Sequence, residues 1–182
     1  MLSIIDTRLF YFFNVGLKNF LFDMLMPLFA RHEEWLPVFF LVFCAGIYFN
    51  HKKCLKAFLF AVVAVSLSDF LIHHFVKPFF GRVRPCNALP AETFHLLVGC
   101  GGSYSFPSQH ASNMFALAAT VGYCYRGLKY VLMAVGSVVA FSRVYLGVHY
   151  PFDVLFGAFF GLFSASVVIW IPDRKFFFQS QK

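Results

Sequence analysis

Apolar stretches, each close to one bilayer thickness, alternate with short polar knots along this chain of 182 residues. Residues 35–50 carry no charge between Glu34 and His51, and residues 57–76 hold a single acid, Asp69. Residues 111–125 and 130–142 are parted by the polar tetrad Arg126 to Lys129, and residues 154–172 carry no charge at all. A hydrocarbon core about 30 Å thick asks for about 20 residues of helix. The pattern therefore predicts an all-α integral membrane protein, a bundle of about five to six transmembrane helices whose ends include the neighbouring polar residues. The first stretch differs. Between Ile4 and Ala30 it is interrupted by Asp6, Arg8, Asn14, Lys18, Asn19 and Asp23, too many polar groups for a lipid-facing span. It reads as an amphipathic segment of one or two helices lying in the interface, with a first span as the alternative. The expected layout is one membrane-embedded domain, residues 1–182, with interfacial helices over 1–34, a helical core over 35–172 and an outer loop over 77–110.

Composition agrees with this layout: 60% of the residues are hydrophobic, 28 are Phe and 13% are charged, against about 25% charged in ordinary soluble domains. The first ten residues show no basic region ahead of an apolar one, and no small-residue cleavage site follows, so no removable signal peptide is expected. Charge then orients the bundle. Lys52, Lys53 and Lys56 share one connection, Arg126 and Lys129 another, and Arg174, Lys175 and Lys182 follow the last apolar stretch. With five spans these groups lie on one side, which the positive-inside rule makes cytoplasmic. Lys77, Arg82, Arg84 and Arg143 remain on the opposite side, and membrane topology gives no reason for them.

Those four cations fall with the histidines into three blocks: VKPFFGRVRP (76–85), FPSQH (106–110) and SRVYLGVHYPFD (142–153). Their spacings, Lys-x6-Arg-Pro, Pro-Ser-x-His and Ser-Arg-x5-His-x3-Asp, resemble in this order the type 2 phosphatidic acid phosphatase superfamily of membrane lipid phosphatases. The resemblance covers about residues 35–172. It departs at Gln109, where the family often has Gly; a backbone N–H offered to phosphate is available from either residue.

The resemblance implies a metal-independent phosphatase, without a cofactor, that passes through a phosphohistidine. Elementary chemistry is consistent with it. A phosphoryl group spreads negative charge over its equatorial oxygens in the transition state, and fixed cations stabilise that charge where water is excluded. Lys77, Arg84 and Arg143 supply three, two of them with the planar fork that grips two oxygens at once. Ser108 stands at a helix N-cap position, so its hydroxyl and the next amides, Gln109 included, would face the same anion. Asp153 follows His149 by four residues, and one turn of a helix opened by Pro151 brings that carboxylate to the imidazole. The family motif makes His149 the nucleophile and His110 the general acid; spacing alone does not distinguish the two roles.

Asp69 is an intramembrane acid, functional by default. Asp69, His73 and Lys77 recur every four residues, which predicts a stripe in which Asp69 and His73 orient Lys77; the rival is a polar pair that only ties helices. Arg82 and Ser142 are expected to support the site, although Arg82 equally suits lipid headgroups. His32, His51 and His95 read as structural or interfacial side chains. No cysteine has metal-site spacing, so no metal is expected. Cys44, Cys54 and Cys124 read as free thiols. Cys86 and Cys100 share the outer loop, where a disulfide requires an oxidising exterior and would close a loop of roughly 15 residues. The glycine-rich stretch before Phe106 reads as a mobile entrance.

The cations sit where a lipid can present its headgroup phosphate without leaving the bilayer. The expected partners are thus bilayer lipids and a lipid phosphate, not nucleic acid; the resemblance suggests lipid A 1-phosphate, undecaprenyl diphosphate or phosphatidylglycerophosphate. The implied place is a bacterial inner membrane, with the site facing the periplasm. A small transporter or channel for an anion is the main alternative, but the apolar stretches show no duplicated halves and the charges gather at one rim. Vanadium haloperoxidases share the phosphate motif, yet they are soluble. Oligomeric state is not legible.

Overall fold

The computed structural model of the chain describes residues 2–30, 32–102 and 104–179, with side chains outside positions 2, 32–39, 42 and 172–179. The side chains of His32, Glu34, Trp35, Arg174 and Lys175, and residue Lys182, thus lie outside what is described. Outside the outer loop the described residues are almost all helical, and none forms a strand. They form α1 (Leu2–Tyr11), a π-helical turn (Phe12–Gly16), α2 (Phe20–Ala30), α3 (His32–Leu71) and a second π turn (Ile72–Val76). The short α4 (Lys77–Phe80) and α5 (Pro85–Ala88) follow, then α6 (Gln109–Cys124), α7 (Lys129–Tyr145) and α8 (Pro151–Gln179). Segments Phe43–Phe80, Arg126–Tyr145 and Pro151–Ile171 are long and apolar enough to cross a membrane.

The first of these segments contains a reversal. Asn50 leaves helical geometry (φ −158°, ψ 74°), and its Oδ1 accepts the Lys53 N–H at 3.3 Å, capping the second limb. The limbs then run back along each other, with the Phe43 and Phe58 rings 4.6 Å apart. The predicted basic connection is shorter than expected, because Lys52, Lys53 and Lys56 lie in the opening turns of the second limb. Lys53 sits over the Tyr125 ring and Lys56 over the Phe60 and Tyr123 rings, which holds the start of the second limb of α3 to the C-terminal end of α6.

α6 occupies the middle, packed against α3, α7 and α8. Its buried positions are small: Ala111, Ser112, Ala116, Ala118, Thr120 and Gly122. Small residues let helix backbones approach closely in a membrane, where packing must replace the hydrophobic drive. α8 answers with Gly157 and Gly161. A Cβ at either would collide with the carbonyl oxygen of Ser108 or Ser112, so only glycine permits this approach. Large apolar side chains point outward instead, among them Phe79, Leu155, Phe159 and Phe163, as a lipid-facing surface requires.

The N-terminal segment turns its polar face inward. Asp6 and Asn14 are fully buried, whereas Ile4, Phe12, Val15 and Phe20 are exposed, so its polar groups turn toward the protein. The reason is that partners wait there. Asn14 Nδ2 donates to the carbonyls of His95 (2.7 Å) and Tyr145 (2.6 Å), and its Oδ1 accepts the His95 N–H at 2.7 Å. Asp23 accepts the Tyr145 hydroxyl at 2.5 Å and lies 3.0 Å from His95 Nε2. His95 thus has the structural role expected of it, latching the outer loop to the N-terminal helices.

The outer loop is likewise tied down rather than free. Cys86 and Cys100 form a disulfide across a separation of 14 residues, Val83 pairs with Tyr104 in an isolated antiparallel bridge, and the Ser105 N–H bonds the Arg82 carbonyl at 2.7 Å. Cys44, Cys54 and Cys124 are free. Closing a loop of this size contributes about 3 kcal/mol on the chain-entropy account. Reductant, or Cys86→Ser with Cys100→Ser, is therefore expected to lower the thermal midpoint of the detergent-solubilised protein. Alkylation in denaturant without reductant should add three labels by intact mass; five labels would show that the bridge does not form.

Candidate active site

α4 ends at Gly81, and the chain continues extended through Val83 into Arg84. Alternation along an extended backbone places Arg82 and Arg84 on one side and Val83 on the other. Val83 is exposed, while Arg84 is buried. Arg84 Nε donates to the Gly102 carbonyl at 2.6 Å, and one terminal nitrogen donates to the Val148 carbonyl at 3.2 Å. That terminal nitrogen also stands 3.2 Å from His149 Nε2.

His149 reaches this point through a reversal after α7. Both Val148 and His149 donate their N–H to the Arg143 carbonyl at 3.2 Å. Gly147 takes φ +83°, and a Cβ there would come within 2.8 Å of the His95 carbonyl. Glycine is required on both counts. Pro151 then opens α8, and Asp153 reaches back so that Oδ2 accepts the Tyr150 N–H at 2.8 Å, the return half of a capping box. The same oxygen lies 3.5 Å from His149 Nδ1 and accepts the Ser105 hydroxyl. His149 and Asp153 are 1% and 0% exposed. The predicted pair is thus formed and dry. A proton on Nδ1, facing the carboxylate, leaves the Nε2 lone pair directed at Arg84.

The middle block joins the others through the backbone. The Ser108 N–H donates to the Asp153 carbonyl at 2.9 Å, and Ser108 caps α6, its hydroxyl accepting the Ala111 N–H at 3.5 Å. His110 stands in the first turn of α6, half-buried. The Gln109 side chain accepts from Lys77 Nζ at 2.7 Å and donates to Asp69 at 3.3 Å; Asn113 donates to the second Asp69 oxygen at 3.2 Å. Asp69 therefore acts on Lys77 through Gln109. His73 does not join. It is exposed, with its ring against His74, because the π turn Ile72–Val76 breaks the four-residue stripe on which the expectation rested. Ser142 does not join either, since its hydroxyl donates to the Val139 carbonyl of its own helix at 2.7 Å. Arg82 bonds two carboxylates, Asp153 and Asp6, each at 2.7 Å, rather than facing headgroups.

The remaining charge is cationic. Lys77 lies within Coulombic reach of Arg84 and Asp153, and Arg143 within reach of Arg84 and His149. Among the described residues Arg143 Nε is buried without a hydrogen-bond partner, a costly state for a donor unless an anion meets it. Burial, first, and the neighbouring Arg84 and Arg143 push the His149 imidazole down to about 4, against the pull of Asp153. Its folded value is thus below its unfolded one. The neutral imidazole persists at mildly acidic pH, and the stability of this arrangement declines as pH falls from the ordinary histidine range toward 4. With the second ionisation of the phosphate, near pH 6, divided out, the acid limb of kcat/KM is expected below pH 5. A limb near 6.5, the ordinary imidazole value, would show that His149 is not held this way.

Four contributors were not foreseen: Asp6, Ser105, Asn113 and the Gly102 carbonyl. Asp6 carried a signal, being an acid in an apolar stretch like Asp69. Ser105 and Gly102 carried none, because a serine or glycine in a loop is ordinary.

A dry imidazole with its second nitrogen on a carboxylate, beside arginine forks placed at membrane-helix ends, is suited to accepting a phosphoryl group. The class is a membrane-embedded phosphatase. The chain belongs to the PAP2 superfamily, whose family model matches residues 55–177. It is 31% identical to the lipid A 4'-phosphatase of Bacteroides thetaiotaomicron over 95% of this chain and 79% of that protein. It is 26% identical to the undecaprenyl-diphosphatase BcrC of Bacillus subtilis over 75% and 68% of the two chains. The crystal structure of Aquifex aeolicus LpxE superposes with a TM-score of 0.73 at 25% identity, covering 90% of this chain and 93% of that one.

Proposed function

We propose that this protein removes phosphate from the headgroup of a membrane lipid, a lipid A phosphate first and undecaprenyl diphosphate second, by way of a phosphohistidine on His149. The observation that carries the reading is the contact series Arg84–His149–Asp153, in which a cation stands 3.2 Å from one imidazole nitrogen and a buried carboxylate lies 3.5 Å from the other. The phosphorus comes within reach of His149 Nε2, with its oxygens turned toward the cations. Lys77, Arg84 and Arg143, with the Ser108 hydroxyl and the Gln109 amide, hold the equatorial oxygens. His110 protonates the leaving oxygen and afterwards activates the water that hydrolyses the phosphoenzyme. The similarity to lipid A 4'-phosphatases across nearly the whole chain supports the order of substrates.

In this reading the chain is a single domain of five to six transmembrane helices in a bacterial inner membrane, the basic reversal of α3 and the C-terminal end of α6 cytoplasmic and the site facing the periplasm. The test is phosphate release by the purified protein from lipid A, undecaprenyl diphosphate, phosphatidylglycerophosphate and phosphatidate, with EDTA present throughout. Lipid A is expected to be cleaved fastest, and EDTA to have no effect. Cleavage of none of the four, or activity lost to the chelator, would refute the reading.

A further inference from the structure

We propose that Asp6, in the N-terminal helix α1, is a positioning residue for the reaction: it anchors Arg82 against Asp153 and so fixes the carboxylate that orients His149. The inference rests on the phosphohistidine reading above and adds to it a group 76 positions from Arg82 and outside every motif.

Arg82 spans the two carboxylates with its two terminal nitrogens, one 2.7 Å from Asp153 Oδ1 and the other 2.7 Å from Asp6 Oδ2. Its guanidinium lies 4.0 Å over the Tyr150 ring, which fixes the plane of the fork. Asp6 is 0% exposed, and its other oxygen accepts the Phe152 N–H at 2.9 Å, a free donor of the first turn of α8. One acid of α1 thus ties both the arginine and the helix start that carries Asp153.

The arrangement has two consequences. Asp153 Oδ2 already receives Ser105, the Tyr150 N–H and the His149 side, so Oδ1 is the oxygen whose partner sets the tilt of the carboxylate. Arg82 is that partner, and a guanidinium held by one carboxylate alone is free to swing about it. With Asp6 as the second holder it cannot, and the His149 ring inherits a fixed orientation. Arg82 is also withheld from the phosphate, because two anions already occupy its fork. The phosphate is left to Lys77, Arg84 and Arg143. A merely structural latch between α1 and α8 would need the Phe152 contact but not the charge on Asp6.

That difference supplies the test, run on the full chain in detergent with whichever of the four lipids is cleaved fastest. Asp6→Asn keeps an oxygen for the Phe152 N–H and removes the charge facing Arg82. It is expected to lower kcat by about tenfold, within the range that small misplacements of a reacting group produce. KM should stay within about twofold, and the thermal midpoint should fall, because Arg82 loses one of its two buried carboxylate partners; kcat is therefore compared at a temperature where both proteins are folded. In an Asp153→Asn background the same change should cost nothing further, since the two act in one chain. Asp6→Ser, which also keeps an acceptor, serves if the asparagine variant is unstable. Wild-type kcat in both neutral variants, or an equal loss in the Asp153→Asn background, would overturn the proposal while His149→Ala remains inactive. Activity that survives His149→Ala would instead remove the reading on which it rests.

Discussion

His149→Ala is expected to abolish phosphate release, by about 10⁴-fold or more, as removal of a covalent nucleophile does in other enzymes. The fold should persist. Asp153 would lose the imidazole but keep Arg82, Ser105 and the Tyr150 N–H, so no buried charge is left alone, and the cost is mainly that of the cavity left by the ring. Arg84 also keeps its two carbonyl acceptors. Normal expression in the membrane and a midpoint within a few degrees should therefore accompany the loss. The change also separates a phosphatase from an anion carrier: carriage of phosphate across a vesicle membrane that survives it would favour the carrier, whereas the present site predicts a protein that still binds an anion and no longer turns over.

Much of this site is legible in the chain because its parts are local. Asp153 follows His149 by one helical turn, Ser108 precedes an apolar run at the N-cap position, and Arg84 is fixed by Pro85 and the extended residues before it. Short-range geometry dictates each of these. The links between blocks are long-range and leave no periodic trace. Nothing in the order of residues says that Ser105 reaches Asp153 across 48 positions, or that Asn14 holds both His95 and Tyr145. The His73 expectation failed for a specific reason, since a π turn adds a residue per turn and no composition rule announces one. The inward turn of the N-terminal segment's polar groups was hidden for another. Hydropathy counts a polar residue as hydrated, whereas Asp6 and Asn14 are satisfied by protein partners; a segment with its polar face inward has the same average as one lying on a membrane surface. The membrane character, by contrast, was legible in long apolar runs, and Asn50 marks a reversal two positions before Lys52, the first of the basic residues that suggested it.

Asp153→Asn should be nearly as damaging as loss of the histidine, although the two side chains have the same shape. Every neighbour that Asp153 meets is a donor: Arg82 on Oδ1, and Ser105, the Tyr150 N–H and the Nδ1 face of His149 on Oδ2. An amide must place its NH₂ toward one of these sets. Directed at Arg82, it sets two donors against each other and leaves the guanidinium held by Asp6 alone. Directed at His149, it opposes the Tyr150 N–H and turns the imidazole to the tautomer with its proton on Nε2, the nitrogen that must attack phosphorus. Either choice also removes an anion from among Lys77, Arg84 and Arg143. A fall in kcat of about 10³- to 10⁴-fold is expected, the scale found when an orienting carboxylate behind a catalytic histidine becomes an amide, with a much smaller change in KM. The thermal midpoint should fall as well, because a buried ion pair that loses one partner costs about 3–5 kcal/mol. Single-turnover phosphate release beside a melting curve separates the two effects: a folded Asp153→Asn protein working near the wild-type rate would mean that the carboxylate holds the helix start and has no part in setting the imidazole.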